Sequence, residues 1–142
     1  MAYVSLDSDQ IKRANKKHKY SKEQVEQLEK CMDEKTGPLF FMKTFMKIQH
    51  PTKGEMAFNP YPYQERLIQA YNDHRFSISM LPRQTGKTTC ASGYLIWYAM
   101  FKPDSQILIA AHKYAGASDI MSRVRYAYEM LPSWIKAGVT QY

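Results

Sequence analysis

Between Phe76 and Phe101 the sequence changes register twice within a short span. Phe76-Ser77-Ile78-Ser79-Met80 alternates apolar and polar residues, as a half-buried strand does. Leu81-Pro82-Arg83-Gln84-Thr85-Gly86 follows as a loop, and Lys87-Thr88-Thr89 then opens an apolar run from Cys90 to Phe101, long enough for a buried helix. Strand, short loop, Gly-Lys-Thr and helix is the layout of a phosphate-binding P-loop. It constrains the fold because such a site needs backbone N–H groups converging at a helix N-terminus, with a strand to deliver the loop there.

In that layout each residue has a chemical reason to be present. Gly86 permits close approach of the backbone to an anion, Lys87 reaches the β and γ phosphates, and the Thr88 hydroxyl ligates Mg²⁺. Thr89 adds a hydroxyl toward the α phosphate. Gln84 and Thr85 supply loop backbone. The strict pattern asks for glycine where Leu81 stands, which weakens the bare motif. Arg83 lies four residues before Lys87, where a cation can stabilise charge developing on a transferring phosphoryl group. On spacing alone it reads as well as a solvated loop arginine. Upstream, Gln64 can pair with the N6 and N7 edge of adenine, and Tyr61 or Tyr63 can stack on the base. A lone glutamine at a helix start would be a surface residue; only the loop downstream gives it a second meaning.

The remaining sequence suits an α/β domain. Hydrophobic residues make up 44% and aromatics 13%, enough for a globular core rather than a disordered chain. Gln106-Ile107-Leu108-Ile109-Ala110-Ala111 is a continuous apolar run, as a buried parallel strand should be. Residues 114–131 place Ile120, Val124, Ala127, Tyr128 and Leu131 on one helical face, and Pro132 ends them. Strand, helix, strand, helix from 76 to 131 is the rhythm of a parallel sheet. Before it, Ser21 and Gln24 fit a capping box that opens a helix over roughly 22–34, stopped by Gly37. Pro38 starts a second, apolar helix from Leu39 to Ile48. The cluster from His50 to Gly54 reads as a turn, residues 55–58 as a weak strand, and 64–73 as a helix.

The formal net charge is +7, and its sharpest local excess is Lys12, Arg13, Lys16, Lys17, Lys19 and Lys22, with no acid between them. Residues 1–20 read as a flexible arm. This run is equally a nucleic-acid arm and a solvated tail. Cys31 and Cys90 stand far apart with no Cys-x-x-Cys pattern, and His18, His50, His74 and His112 show no metal spacing, so a structural zinc site is not expected. A reducing, intracellular setting fits the cysteine usage. The N-terminus is polar, and the longest apolar run, Tyr94 to Phe101, is far short of the about 20 residues a membrane span needs, so a soluble protein is expected.

His50-Pro51-x-x-Gly54, Tyr61-Pro62-Tyr63-Gln64, Arg83-Gln84-x-Gly86-Lys87-Thr88-Thr89, Ile107-Leu108-Ile109-Ala110 and Leu131-Pro132 occur in this order. Together they resemble the N-terminal half of the ATPase domain of tailed-phage large terminase subunits, most closely the T-even-like branch. The resemblance runs from about residue 38 to the end. That family also lacks the first glycine of the motif, which accounts for Leu81. The resemblance implies a partial P-loop NTPase domain of the additional-strand, helicase-related class over 38–142, preceded by a basic arm and short helix over 1–37. It implies the ATP-binding part of the motor that drives viral DNA into the capsid, with ATP and Mg²⁺ as cofactors. Gln64 matches the adenine motif, Lys87 and Thr88 the phosphate and Mg²⁺ positions, Arg83 the proposed cis arginine finger, and Ala111-His112-Lys113 a helicase-like segment. The implied partners are double-stranded DNA, a portal protein, a small terminase subunit and further copies in a ring, working in the host cytoplasm. The acidic second motif, the coupling motif and a nuclease domain would lie beyond Tyr142, so the chain alone is expected to hydrolyse little ATP. A helicase-like ATPase and a non-catalytic nucleotide- or nucleic-acid-binding module remain the alternative readings.

Overall fold

Five helices and one small antiparallel sheet form the architecture seen in a computed structural model, which describes residues 11–50 and 52–140. Pro51 and the first ten residues of the basic arm lie outside the described residues. Helix α1 spans Lys22–Met32 and opens with the expected capping box. Gln24 N donates to Ser21 Oγ at 3.2 Å and Ser21 N donates to Gln24 Oε1 at 3.0 Å, so two orphan donors are satisfied reciprocally. Gly37 does not stop this helix. The chain turns instead at Asp33, whose carboxylate accepts from the backbone N–H groups of Thr36 (2.7 Å) and Lys35 (2.9 Å) and from the Thr36 hydroxyl (2.9 Å). The bonds from Thr36, then Lys35, hold the Asp33 carboxyl below its ordinary pKa.

Gly37 is instead the first residue of helix α2, Gly37–Phe45. Its backbone passes so close to the Cys31 carbonyl that a Cβ would collide with it. The expected helix from 38 to 48 ends early, at Phe45, and residues 47–50 become strand β1. Strand β1 (Lys47–His50) pairs antiparallel with β2 (Gly54–Ala57), in register Ile48 with Met56 and Gln49 with Glu55. The pairing continues as Phe58 N donates to Met46 O at 3.0 Å. Backbone pairing with 54–58 wins over further helix because it buries both Met46 and Phe58 in the core.

Helix α3 covers Pro62–Asp73, α4 Lys87–Phe101 and α5 Tyr114–Glu129. The core is where α1, α2, α3 and α4 meet, centred on fully buried Trp97. The Trp97 indole N–H donates to Cys31 O at 2.8 Å, so its one polar atom is satisfied on burial. Phe41 and Phe101 meet edge to face at 5.7 Å, and Phe45 and Trp134 at 5.5 Å. Gly93 lets α4 press against α2, since a Cβ there would lie 2.5 Å from the Met42 and Met46 side chains. Ala127 and Tyr128 bring α5 into the core, and Leu131 and Ile135 carry it beyond that helix.

The parallel sheet is not formed among the described residues. Segments 76–80 and 106–111, read from sequence as strands, belong to no ladder there. A strand's backbone ladder needs a neighbouring strand, and neither segment has one among the described residues. Most of their large side chains stay out, with Phe76 81% exposed, Ile78 96%, Met80 95% and Leu108 90%, while Ile109 is half-buried. The fold is therefore mixed α/β in its elements, while its apolar extended segments lie open.

The basic arm also differs from expectation. Ile11 is buried, Val139 N donates to Lys12 O at 2.8 Å, and Ala14 N donates to Val139 O at 3.3 Å, forming a parallel bridge. Gly138 permits this crossing, because a Cβ there would come within 2.7 Å of the Ala14 Cα. Over Ile11 to Ala14 the arm is fastened rather than loose.

Candidate functional site

The loop 81–86 and the first turn of α4 are shaped by two left-handed residues. Gln84 has φ 61° and Gly86 φ 75°. Such a φ costs a residue with a Cβ about 1–2 kcal/mol and costs glycine little, so Gly86 is the residue type this position calls for. Gly86 is the N-cap of α4, and its carbonyl accepts the first helical bond, from Cys90 N at 3.0 Å. The N–H groups of Lys87, Thr88 and Thr89 precede that bond and have no partner within the helix. No acid stands in this first turn. Three unpaired donors at a helix N-terminus form an anion-attracting surface.

The Lys87 side chain folds back across the loop, and Nζ donates to Leu81 O at 2.9 Å. Thr85 Oγ1 donates to Pro82 O at 3.0 Å and closes the turn. Leu81 packs against the core, so the residue at the position of the missing glycine serves as the loop's apolar foot.

Upstream residues hold this loop from the side. Gln64, 6% exposed, donates through Nε2 to Thr85 O at 3.0 Å, while its Oε1 accepts from Tyr61 N at 2.9 Å. The Tyr63 hydroxyl donates to the same Thr85 carbonyl at 2.9 Å. A Cβ on residue 86 would meet Gln64 Nε2 at 2.5 Å, so the glutamine amide and Gly86 fit only each other. The Tyr61 and Tyr63 rings stack in parallel at 5.9 Å.

The sequence-derived residues thus converge in part. Tyr63, Gln64, Thr85, Gly86, Lys87, Thr88 and Thr89 share one end of α3 and α4. Arg83 and Gln84 are exposed, and Arg83 makes no hydrogen bond or ion pair among the described residues. The clamp on Thr85 O was not anticipated from sequence, where Tyr63 and Gln64 were read toward a base. The adjacent Tyr-Gln pair supplies two polar side-chain tips at a helix start, but its spacing does not point them at a carbonyl more than 20 residues away. His112 lies exposed just before α5.

Residues 78–140 match the family model described as terminase large subunit, T4-like-virus type, N-terminal. The likeness read from the sequence is shown over this segment. The terminase match implies a role in phage DNA packaging. It takes in the 81–89 loop, α4, the open segment 106–111 and α5, and it leaves Tyr63 and Gln64 outside. The clamp on Thr85 therefore joins unmatched sequence to the matched segment. No described helix is long and apolar enough to cross a membrane.

Proposed function

We propose that residues 81–89 are a P-loop that binds ATP with Mg²⁺, within the terminase motor that translocates viral DNA into the capsid. The observation that carries this reading is Gly86 in the left-handed conformation at the N-cap of α4, with Lys87 Nζ arched over the loop. The donor set suits a polyphosphate: three helix-start N–H groups, one lysine and no nearby first-turn acid. Lys87 would exchange the Leu81 carbonyl for β and γ phosphate oxygens, and the Thr88 hydroxyl would hold Mg²⁺. Bound Mg²⁺ would supply charge neutralisation across the β and γ oxygens.

Gln64 would meet the base while its buried amide fixes the loop, with Tyr61 and Tyr63 as the aromatic platform beside it. Arg83, exposed and uncommitted, would turn toward a γ phosphate. Hydrolysis also needs carboxylates to hold the metal and polarise water, so turnover is proposed for the motor rather than for these residues alone. Double-stranded DNA, a portal protein, a small terminase subunit and ring neighbours are the proposed partners, with the host cytoplasm at the capsid vertex as the place of action. Titrating purified protein with a fluorescent non-hydrolysable ATP analogue tests the site. Lys87→Ala should abolish Mg²⁺-dependent binding while circular dichroism stays unchanged; unaltered affinity would refute the proposal.

A further inference from the structure

Some cations on the described surface are paired with acids and others, singly at Lys35, Lys53 and Arg66 or in a run at residues 16–22, are not. Lys30, Lys43, Lys47 and Arg123 each sit against an acid: Glu26 at 2.8 Å, Glu65 at 2.5 Å, Glu55, and Asp119 at 3.2 Å. Lys16, Lys17, Lys19 and Lys22 face no acid among the described residues, and all four are exposed. With Lys12 they place five lysines within residues 12–22. Uncompensated cations repel one another and destabilise a compact state, so their concentration in one stretch opposes folding rather than aiding it. Lys22 adds to this, because it opens α1 where the helix dipole disfavours a cation.

The stretch is also held at both ends. At one end, Lys12 and Ala14 are bonded to Val139, the Lys12 N–H meets the Tyr128 hydroxyl at 3.4 Å, and Ile11 is buried. Asn15, with φ 62°, turns the chain away from that anchor. At the other end the Ser21 capping box fixes entry into α1. Residues 15–20 therefore form a tethered loop, with His18 and Tyr20 in edge contact at 4.8 Å. A loop fixed at both ends loses less conformational entropy on binding a polyanion than a free tail does.

We propose that the tethered loop 15–22 is a binding site for the phosphate backbone of duplex DNA, read without regard to sequence. The choice of DNA as the polymer rests on the packaging role proposed above; the charge and the tethering stand apart from it. Lysines recognise backbone phosphate as point charges and release counterions on contact, so binding is steeply salt-dependent. The loop offers no arginine fork for base edges, which suits a motor that must pass any sequence.

The test measures fluorescence anisotropy of a labelled random-sequence duplex across salt concentration, without nucleotide. The comparison is between the whole chain, a triple variant Lys16→Gln/Lys17→Gln/Lys19→Gln, and a charge-matched control Lys35→Gln/Lys53→Gln/Arg66→Gln. The loop variant should flatten the slope of log K against log salt by about 2.7, at about 0.9 per lost phosphate contact. The control should leave the slope within about one contact of the parent. Equal losses in both variants, an unchanged slope in the loop variant, or tighter binding to single strand than to duplex would each overturn the proposal. Displacement of the duplex by polyglutamate at equal charge would overturn it in favour of an acidic protein partner. Nucleotide plays no part in the assay, so its failure leaves the reading of Lys87 standing, and the failure of Lys87→Ala leaves this one standing.

Discussion

The helices around Trp97 and the open segments 76–80 and 106–111 are both apolar sequence, yet only the first are packed. Trp97 is fully buried, with its N–H bonded to Cys31 O, whereas Ile78 is 96% exposed and Leu108 90%. The difference lies in where backbone hydrogen bonds come from. A helix closes its own N–H to C=O bonds and needs only a surface for its apolar stripe. A strand has no internal partner and can bury its side chains only after another strand is in place. The candidate site lies on this boundary. Its loop leaves an open segment at Leu81 and enters the packed region at Lys87, and the Gln64 and Tyr63 bonds fasten it to the packed side.

The largest expected effect breaks the packed region. Trp97→Ala should cost about 3–5 kcal/mol, by cavity formation and an orphaned Cys31 carbonyl, read as a lower urea midpoint. A loss below about 1 kcal/mol would show that Trp97 is not the centre of the core. An intermediate, pH-dependent effect comes from the two buried thiols. Burial pushes Cys31 up to about 12 and Cys90 up to about 11, from an ordinary value of 9.0. Because the folded pKa is raised, this stability is fully present below about pH 9 and is lost as pH rises toward 11 to 12. Burial raises Tyr71, Tyr94 and Tyr128 in the same direction. Replacing both cysteines by alanine should therefore lessen, but not remove, the alkaline loss in denaturant melts, and identical pH profiles would contradict the assignment. The smallest effect is expected in the open region. Ile78→Ser should change the stability of this chain by no more than about 0.5 kcal/mol, since little apolar area leaves water there on folding. A drop of about 2 kcal/mol or more in the same melts would mean that residues 76–80 are buried in solution.

Several elements were legible from local chemistry. The Ser21–Gln24 box, the span of α4 from Lys87 to Phe101, and the inward face Val124, Ala127 and Tyr128 of α5 follow from caps and a 3.6-residue period, although α5 ends at Glu129, two residues before the expected end at Leu131. The boundary at Phe45 was not legible, because Met46 and Ile48 satisfy a helical stripe as well as a hairpin strand, and the pairing with residues 54–57 decides between them. Within the site, Gly86 and Lys87 were read from spacing, whereas the shared grip of Tyr63 and Gln64 on Thr85 O was not. Spacing along a chain says nothing of which carbonyl a side chain will meet 21 residues away.

What the sequence determined by itself were the Ser21 cap of α1, the span of α4, the Gly-Lys-Thr junction and the uneven charge, all of which rest on interactions spanning a few residues. Only the tertiary structure decided that Ile11 to Ala14 is fastened to Val139, that the Thr85 carbonyl is clamped, and that 76–80 and 106–111 pair with no strand among the described residues. Each of these depends on a partner distant in sequence, and a long-range partner is set by how whole elements pack rather than by local propensity.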